Sequence, residues 1–204
     1  NSLKTSTKHL IEELKHENVE SFQVPGFENA VQLEEKKNVF LTSAFKDGFF
    51  EVQDAGSQKI GEFLDVKPGM RVVDACAGAG GKTLHLAALM ENKGQIIAMD
   101  IHGWKLAELK RRAKRAGAHN IETREITDNK VIKRLHEKAD RLLIDAPCSG
   151  LGVLKRNPDS KWKIDQDFID RIRKEQETIL QDYSKIIKKG GKMVYATCSI
   201  LPSE

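Results

Sequence analysis

The sequence predicts an α/β protein, an open parallel sheet with helices on both faces, preceded by part of a small α+β domain. Two patterns carry that prediction. From residue 71 onward, short apolar runs rich in β-branched residues alternate with longer segments of helical periodicity, as a parallel sheet with crossover helices requires. A glycine-rich segment, residues 74–83, joins the first of those runs to the first helix, a position where nucleotide-like ligands are held. Residues 1–50 do not continue the alternation and are assigned to a separate small unit, with 51–204 as the main domain.

Within the first unit a helix is expected over 6–15, with short strands near Val39-Phe40-Leu41 and Phe49-Phe50-Glu51-Val52. Residues 53–64 read as a helix, and Lys67-Pro68-Gly69 as a turn before the first strand of the sheet. Strands are expected at 71–74, 95–100, 122–126, 141–145 and 192–197. Helices are expected between them over 83–91, 103–116, 130–138 and about 167–187. In the last, Phe168, Ile172, Ile179, Tyr183 and Ile186 recur at helical spacing. Gly190-Gly191 is expected to end that helix and turn the chain into the fifth strand.

Composition bounds the class. With 39% hydrophobic and 31% charged residues, the chain is neither disordered nor collagen-like. No apolar run approaches the roughly 18 residues of a membrane span, and the first residues lack the apolar stretch of a secretory signal, so a cytoplasmic protein without a membrane partner is expected. Lysine and arginine exceed aspartate and glutamate by 34 to 30, a net charge of +4 that is compatible with nucleic acid without pointing to it. Cys76, Cys148 and Cys198 are too few and too scattered for a disulfide framework. No C-x-x-C pair suggests zinc, so no metal site is expected, and free thiols fit a reducing compartment.

The segment Asp74-Ala75-Cys76-Ala77-Gly78-Ala79-Gly80-Gly81-Lys82-Thr83 is decided by its spacing. A phosphate-binding P-loop needs G-x-x-x-x-G-K-[ST]; Gly81-Lys82-Thr83 supplies the end, but Cys76 stands where the first glycine belongs. The dinucleotide pattern G-x-G-x-x-G also fails, because Thr83 replaces the third glycine after Gly78 and Gly80. Asp100, ending the second strand, can accept the ribose hydroxyls of an adenosine-containing ligand. S-adenosylmethionine fits what remains: its sulfonium and amino groups are positive and it has no phosphate, so Asp74 near the turn is tolerable. Asp128 follows the third strand, where a carboxylate could meet the adenine, although surface aspartates after strands are common.

The fourth strand ends in Asp145-Ala146-Pro147-Cys148-Ser149-Gly150 and the fifth in Ala196-Thr197-Cys198-Ser199. Ligands of open α/β sheets sit outside the carboxyl ends of the strands, so both thiols are expected at the crevice. A chemistry that uses them is methylation at C5 of cytosine. That carbon is a poor nucleophile until a thiolate adds to C6, which is covalent catalysis. A positive or hydrogen-bonding environment is expected to supply the thiolate at neutral pH. Asp145 is the nearest candidate acid for the adduct, and the second cysteine could assist the final elimination. Cys76 reads as a small buried hydrophobe.

These residues resemble the Sun/Fmu (nucleolar protein) family of RNA cytosine-5 methyltransferases, which depend on S-adenosylmethionine. The carriers are Phe50-Glu51-Val52-Gln53-Asp54 with Ser57-Gln58, DACAGAGGKT, Asp100, DAPCSGLG, Arg156-Asn157-Pro158 with Lys161-Trp162, and TCSILPSE. The resemblance implies a Rossmann-like class I methyltransferase sheet. It implies Cys198 as the attacking thiol, Cys148 as the residue that helps release methylated RNA, and Asp145 beside base and cofactor. It implies a cofactor set of Cys76, Ala77, Gly78, Ala79, Gly80, Gly81, Lys82, Asp100, Asp128 and Asp145, with Asp100 on the ribose. DNA cytosine-5 methyltransferases, by contrast, use the cysteine after proline as nucleophile. The family usually carries Ala-Pro at Gly78-Ala79, a departure that keeps the side chains small. It also continues past TCSILPSE with two more strands, so the fifth strand is expected as an exposed edge. Residues 1–50 resemble a remnant of the family's small RNA-binding domain.

RNA is the implied partner, ribosomal ahead of transfer RNA. The basic loop 150–163, with Lys155, Arg156, Lys161, Trp162 and Lys163, is the candidate contact, Trp162 either stacking on a base or packing inward. The run Lys110-Arg111-Arg112-Ala113-Lys114-Arg115 reads as a solvated helix face. The alternatives are methylation of DNA or of another base, a non-catalytic RNA-binding module, and a P-loop nucleotidase.

Overall fold

Within residues 1–50 of the computed structural model, which describes all of residues 1–204, short helices and strands gather around one apolar cluster. Helix α1 (Thr7–His16) is capped by Ser6, whose hydroxyl accepts from the His9 N–H, and it buries Leu10 and Leu14 against Val19, Val39 and Ala44. Strands β1 (Ser21–Gln23) and β2 (Val31–Leu33) pair as an antiparallel hairpin beside it. With three residues each, they are too short for alternation to reveal. The strand expected at 39–41 is instead a 3-10 helix. There Asn38 accepts from the Phe40 N–H and starts the turn, and Thr42 does the same for Phe45 at the start of α2 (Ser43–Lys46). Side-chain caps outweigh the β preference of Val39 and Phe40. Residues 49–52 form no strand either; Phe49 and Phe50 pack on the same cluster.

Helix α3 (Ala55–Leu64) begins two residues later than expected, because Asp54 caps it through the Gly56 N–H at 2.8 Å. The main sheet follows in the expected alternation. Its elements are β3 (Arg71–Asp74), α4 (Gly81–Leu89), β4 (Gln95–Asp100), α5 (Gly103–Ala116), β5 (Ile121–Glu125), α6 (Asn129–Lys133), β6 (Ala139–Asp145), α7 (Ser160–Lys163), α8 (Gln166–Tyr183) and β7 (Ile187–Ala196). The strands are all parallel, in the order β5-β4-β3-β6-β7. The chain runs outward from β3 to β5 and then returns to the other side of β3. That reversal opens a crevice at the carboxyl ends of β3 and β6.

Adjacent residues of the central strands supply opposite faces, as the period of two demands. Val72 and Leu143 point into a cluster with Leu64, Leu86 and Leu109, under α3, α4 and α5. Val73, Leu142 and Ile144 join Ile132, Tyr183 and Ile186 on the other face, under α6 and α8. Such two-sided burial makes the central strands continuous apolar runs.

Two expectations change at the periphery. Helix α6 stops at Lys133, short of residue 138, because Glu137 takes a positive φ of 54° and its N–H, with that of Lys138, bonds to Lys185 and Ile186. Gly190-Gly191 does not end α8, which stops at Tyr183 and is followed by a 3-10 turn. The glycines lie inside β7, in an excursion between the pairs Ala139↔Ile187 and Arg141↔Lys192. A Cβ at Gly191 would come within 3.0 Å of the Asp140 carbonyl. Strand β7 is an edge of the sheet, and no helix is long and apolar enough to cross a membrane.

Candidate active site

The glycine-rich turn starts as a continuation of the sheet. The N–H of Ala75 bonds to the Leu143 carbonyl and that of Ala77 to Met99, one neighbour on each side. The chain then reverses through Gly78 (φ 54°) and Gly80 (φ 88°) into α4. At Gly80 a Cβ would lie 2.5 Å from Leu109 Cγ, so glycine is needed for both conformation and space. Above Gly78 and Gly81 nothing lies within 4 Å of a Cβ position, which leaves open room over the turn. Helix α4 has no side-chain cap, so its first N–H groups are free for a ligand.

Asp100 clamps this turn. One carboxylate oxygen accepts from the Gly78 N–H at 2.9 Å and the other from the His102 N–H at 2.8 Å. Asp74, by contrast, is 1% exposed and lies beneath the turn, taking the Thr83 hydroxyl at 2.7 Å. Burial pushes its carboxyl up to about 7, and Asp145 adds to the rise. Asp74, which the sequence placed near the turn as tolerable beside a positively charged ligand, is thus buried under the turn and does not face the crevice. Cys76 packs against the second cluster, and burial pushes its thiol far above the ordinary range. Lys82 reaches out of α4 to Asp145 at 2.6 Å, joining the turn to the end of β6. Asp128 is exposed and caps α6 through the Lys130 N–H at 2.7 Å.

The two strand-end cysteines meet. Cys148 Sγ and Cys198 Sγ are 3.2 Å apart, and the Cys198 N–H donates to Cys148 Sγ at 3.2 Å. Cys198 is the more exposed of the two. Its thiol is nevertheless pushed up to about 11, by partial burial of the sulfur first and then by the Cys148 thiol and Asp145. The groups nearest to it are thus a second thiol and a carboxylate, and not the positive environment expected to favour a thiolate.

Three side chains tie these loops together that residue patterns did not single out. Glu204, the last residue of TCSILPSE, accepts from Ser149 and Ser199, the residues that follow the two cysteines, and from Gln176 of α8. The signal for Gln176 was a polar residue four positions after Ile172 on the apolar stripe of α8; it is 5% exposed. Glu51 was quoted only as part of a motif. It pairs with Arg112 at 2.9 Å and with Arg115, and Arg112 also donates to the Ala79 carbonyl at 2.8 Å. The reading of residues 110–115 as a solvated face is therefore corrected for these two arginines, while Lys110, Arg111 and Lys114 are exposed. In the basic loop Trp162 is 80% exposed with Lys161 Nζ 4.8 Å from its ring, so it does not pack inward.

Comparison with known proteins gives the family and the fold. Residues 62–204 match the family model described as 16S rRNA methyltransferase RsmB/F. The sequence is 37% identical to the probable ribosomal RNA small subunit methyltransferase B of Synechocystis, over 100% of this chain and 46% of the relative. The crystal structure of PH0851 superposes with a TM-score of 0.94 at 34% identity, over 100% of this chain and 46% of its own. NSun6 from Pyrococcus horikoshii, solved with SFG, gives a TM-score of 0.89 over 100% of this chain and 75% of its own; at 23% identity it shows a shared fold. The chain spans about half the length of the curated relatives it matches. From its motifs, its sheet and these matches, the chain belongs to the RsmB/F family of methyltransferases.

Proposed function

We propose that the protein carrying this chain methylates C5 of cytosine in RNA, ribosomal ahead of transfer RNA, using S-adenosylmethionine and a covalent adduct between Cys198 and C6. The observation that carries this reading is the pair of thiols 3.2 Å apart at the carboxyl ends of neighbouring strands, beside the glycine-rich turn. One activated cysteine serves many nucleophilic enzymes. A second thiol in contact with it suits a reaction in which the first must be released from carbon.

The turn fits S-adenosylmethionine on its own chemistry. Free N–H groups at the start of α4 match a carboxylate, the open space over Gly78 and Gly81 admits a ligand close to the backbone, and each Asp100 oxygen retains a lone pair for a ribose hydroxyl. The residues proposed to hold it are those from Cys76 to Lys82, with Asp100, Asp128 and Asp145. NSun6, which shares the fold, was solved with SFG, an analogue of this cofactor. When bound, the cofactor supplies an electrophilic methyl group.

The side chains account for the rest of the cycle. Cys198 gives its proton to solvent and adds through sulfur to C6, and the C5=C6 π bond opens so that electron density becomes available at C5 for the methyl group. Asp145, paired with Lys82, lies between the turn and the thiols and is assigned to hold the polar edge of the cytosine while charge develops on the ring. After C5 is methylated its proton is removed, the C6–S bond breaks and Cys198 is regenerated. Cys148 is assigned to assist that elimination. The target base must leave its stack to reach the crevice, so single-stranded or loop RNA is the expected substrate, with the basic loop around Trp162 and residues 1–50 as contacts.

Methyl transfer tests this reading directly. The full-length protein, given S-adenosylmethionine with a labelled methyl group, is expected to put label into 5-methylcytidine of small-subunit ribosomal RNA. Label in DNA, or in a different nucleoside, would overturn the assignment; label in transfer RNA alone would change the substrate.

A further inference from the structure

We propose that Glu204 is the positioning residue of the two-cysteine site: its single carboxylate spans both cysteine-bearing loops and sets the separation of the thiols. The inference deepens the proposed function and rests on it for the reaction, though not for the geometry.

The need for such a residue follows from where the sheet ends. The ladder between β6 and β7 closes with the pair Asp145↔Ala196 and one more bond, from the Ala146 N–H to the Ala196 carbonyl. Both chains then leave the sheet before either reaches its cysteine. Thiols are weak donors and weak acceptors, so their mutual contact cannot fix two loops.

Glu204 replaces the missing ladder. Oε1 accepts from the Ser149 N–H at 2.8 Å and from Gln176 Nε2 at 3.2 Å. Oε2 accepts from the Ser149 hydroxyl at 2.5 Å and from the Ser199 hydroxyl. Gln176 anchors the arrangement to α8 and also donates to the Pro147 carbonyl at 2.8 Å. The donors Ser149 and Gln176 are both buried, while Glu204 and Ser199 are partly exposed, and the ionised acceptor strengthens each bond. Burial alone would raise the Glu204 carboxyl; the two hydroxyls and the Ser149 N–H instead hold it below the usual range. Each serine directly follows a cysteine, so moving the carboxylate moves a thiol through one peptide unit. The loops also touch by backbone: Gly152 donates to the Cys198 carbonyl at 2.8 Å, and a Cβ there would come within 2.6 Å of that oxygen. Serine after each cysteine is thereby explained as half of a clamp.

The test uses the full-length protein and two readouts. Phenylarsine oxide, which needs two adjacent thiols, should bind the wild type, bind Glu204→Ala about tenfold more weakly, and bind Glu204→Gln almost as the wild type does, because glutamine keeps an acceptor for Ser149 and Gln176. In turnover, Glu204→Ala should lose about a hundredfold in kcat, the scale of an ångström of misplacement, with the dissociation constant for S-adenosylmethionine unchanged and Glu204→Gln largely restoring the rate. Should Glu204→Ala fail to fold, Ser199→Ala removes one bond to the carboxylate and should show the same split with a smaller loss. Wild-type arsenical binding by Glu204→Ala or, failing that, by Ser199→Ala overturns the inference. A wild-type protein that binds the arsenical yet methylates no RNA leaves the clamp standing and counts against the proposed function instead.

Discussion

The glycine-rich turn and the cysteine loops leave the same end of the same sheet, yet they are held by different means. The turn is an extension of the core. Its backbone bonds to the strands on both sides, Asp100 fastens Gly78 from the neighbouring strand, and Gly80 is pressed against Leu109. The cysteine loops lie beyond the last ladder pair and depend on side chains, above all Glu204 with Ser149, Ser199 and Gln176. The proposed cofactor site, built from backbone, inherits the rigidity of the sheet. A thiol pair held by a few charge-assisted bonds can be placed without being locked, which suits the proposed exchange of protons and bonding partners.

Substitutions can break one region without the other, and the largest separation comes from the proposed nucleophile. Cys198→Ala should abolish methyl transfer while S-adenosylmethionine affinity, read by calorimetry, stays within about twofold, since no contact of the turn is altered. The mirror experiment is Asp100→Ala. It removes a charged acceptor from two backbone donors, so affinity for S-adenosylmethionine should fall about 10- to 100-fold while phenylarsine oxide still binds the thiols normally. A pair of glycines sharpens the contrast. Gly80→Ala must push Leu109 and adopt a strained φ, and should cost roughly 1–3 kcal/mol in denaturant unfolding. Gly152→Ala meets the Cys198 carbonyl in a surface loop, and should lower kcat more than it lowers the unfolding midpoint.

A further effect is on pH. Asp74 has its folded value raised from 3.8 to about 7, so the folded state keeps a proton that the unfolded chain has lost. The stability this contributes is complete below the unfolded value and is lost as pH rises through about 7. Asp74→Asn should flatten that slope, measured as the difference in urea midpoint between pH 5 and pH 8. An unchanged slope would mean that Asp74 is ionised beneath the turn.

What could be read from residues alone divides along the same line. The strands at 71–74 and 95–100 and the helix at 103–116 stand where periodicity puts them, because buried parallel strands and amphipathic helices write their burial into the sequence. The turn was legible by elimination, from the positions of Cys76 and Thr83 in two nucleotide patterns. The hairpin of β1 and β2 was too short to show, and Gly190-Gly191 looked like a helix stop because a bulge in an edge strand uses the same residues. The clamp was illegible for a different reason. Glu204 and Ser149 are 55 positions apart, and Glu51 and Arg112 are 61; hydrogen bonds across such separations follow no period. Asp74 and Asp100 look alike as strand-end aspartates and both are buried; only their partners, the Thr83 hydroxyl for one and the Gly78 and His102 N–H groups for the other, tell them apart.

The central claim, a nucleophile and a releasing group in one thiol pair, is tested most directly by covalent trapping on RNA that carries 5-fluorocytosine at the target, where fluorine blocks the last elimination. Wild-type full-length protein and Cys148→Ala should both migrate as protein–RNA adducts in denaturing gels, and Cys198→Ala should give none. An adduct that survives in Cys198→Ala and disappears in Cys148→Ala would contradict the account and exchange the roles of the two cysteines.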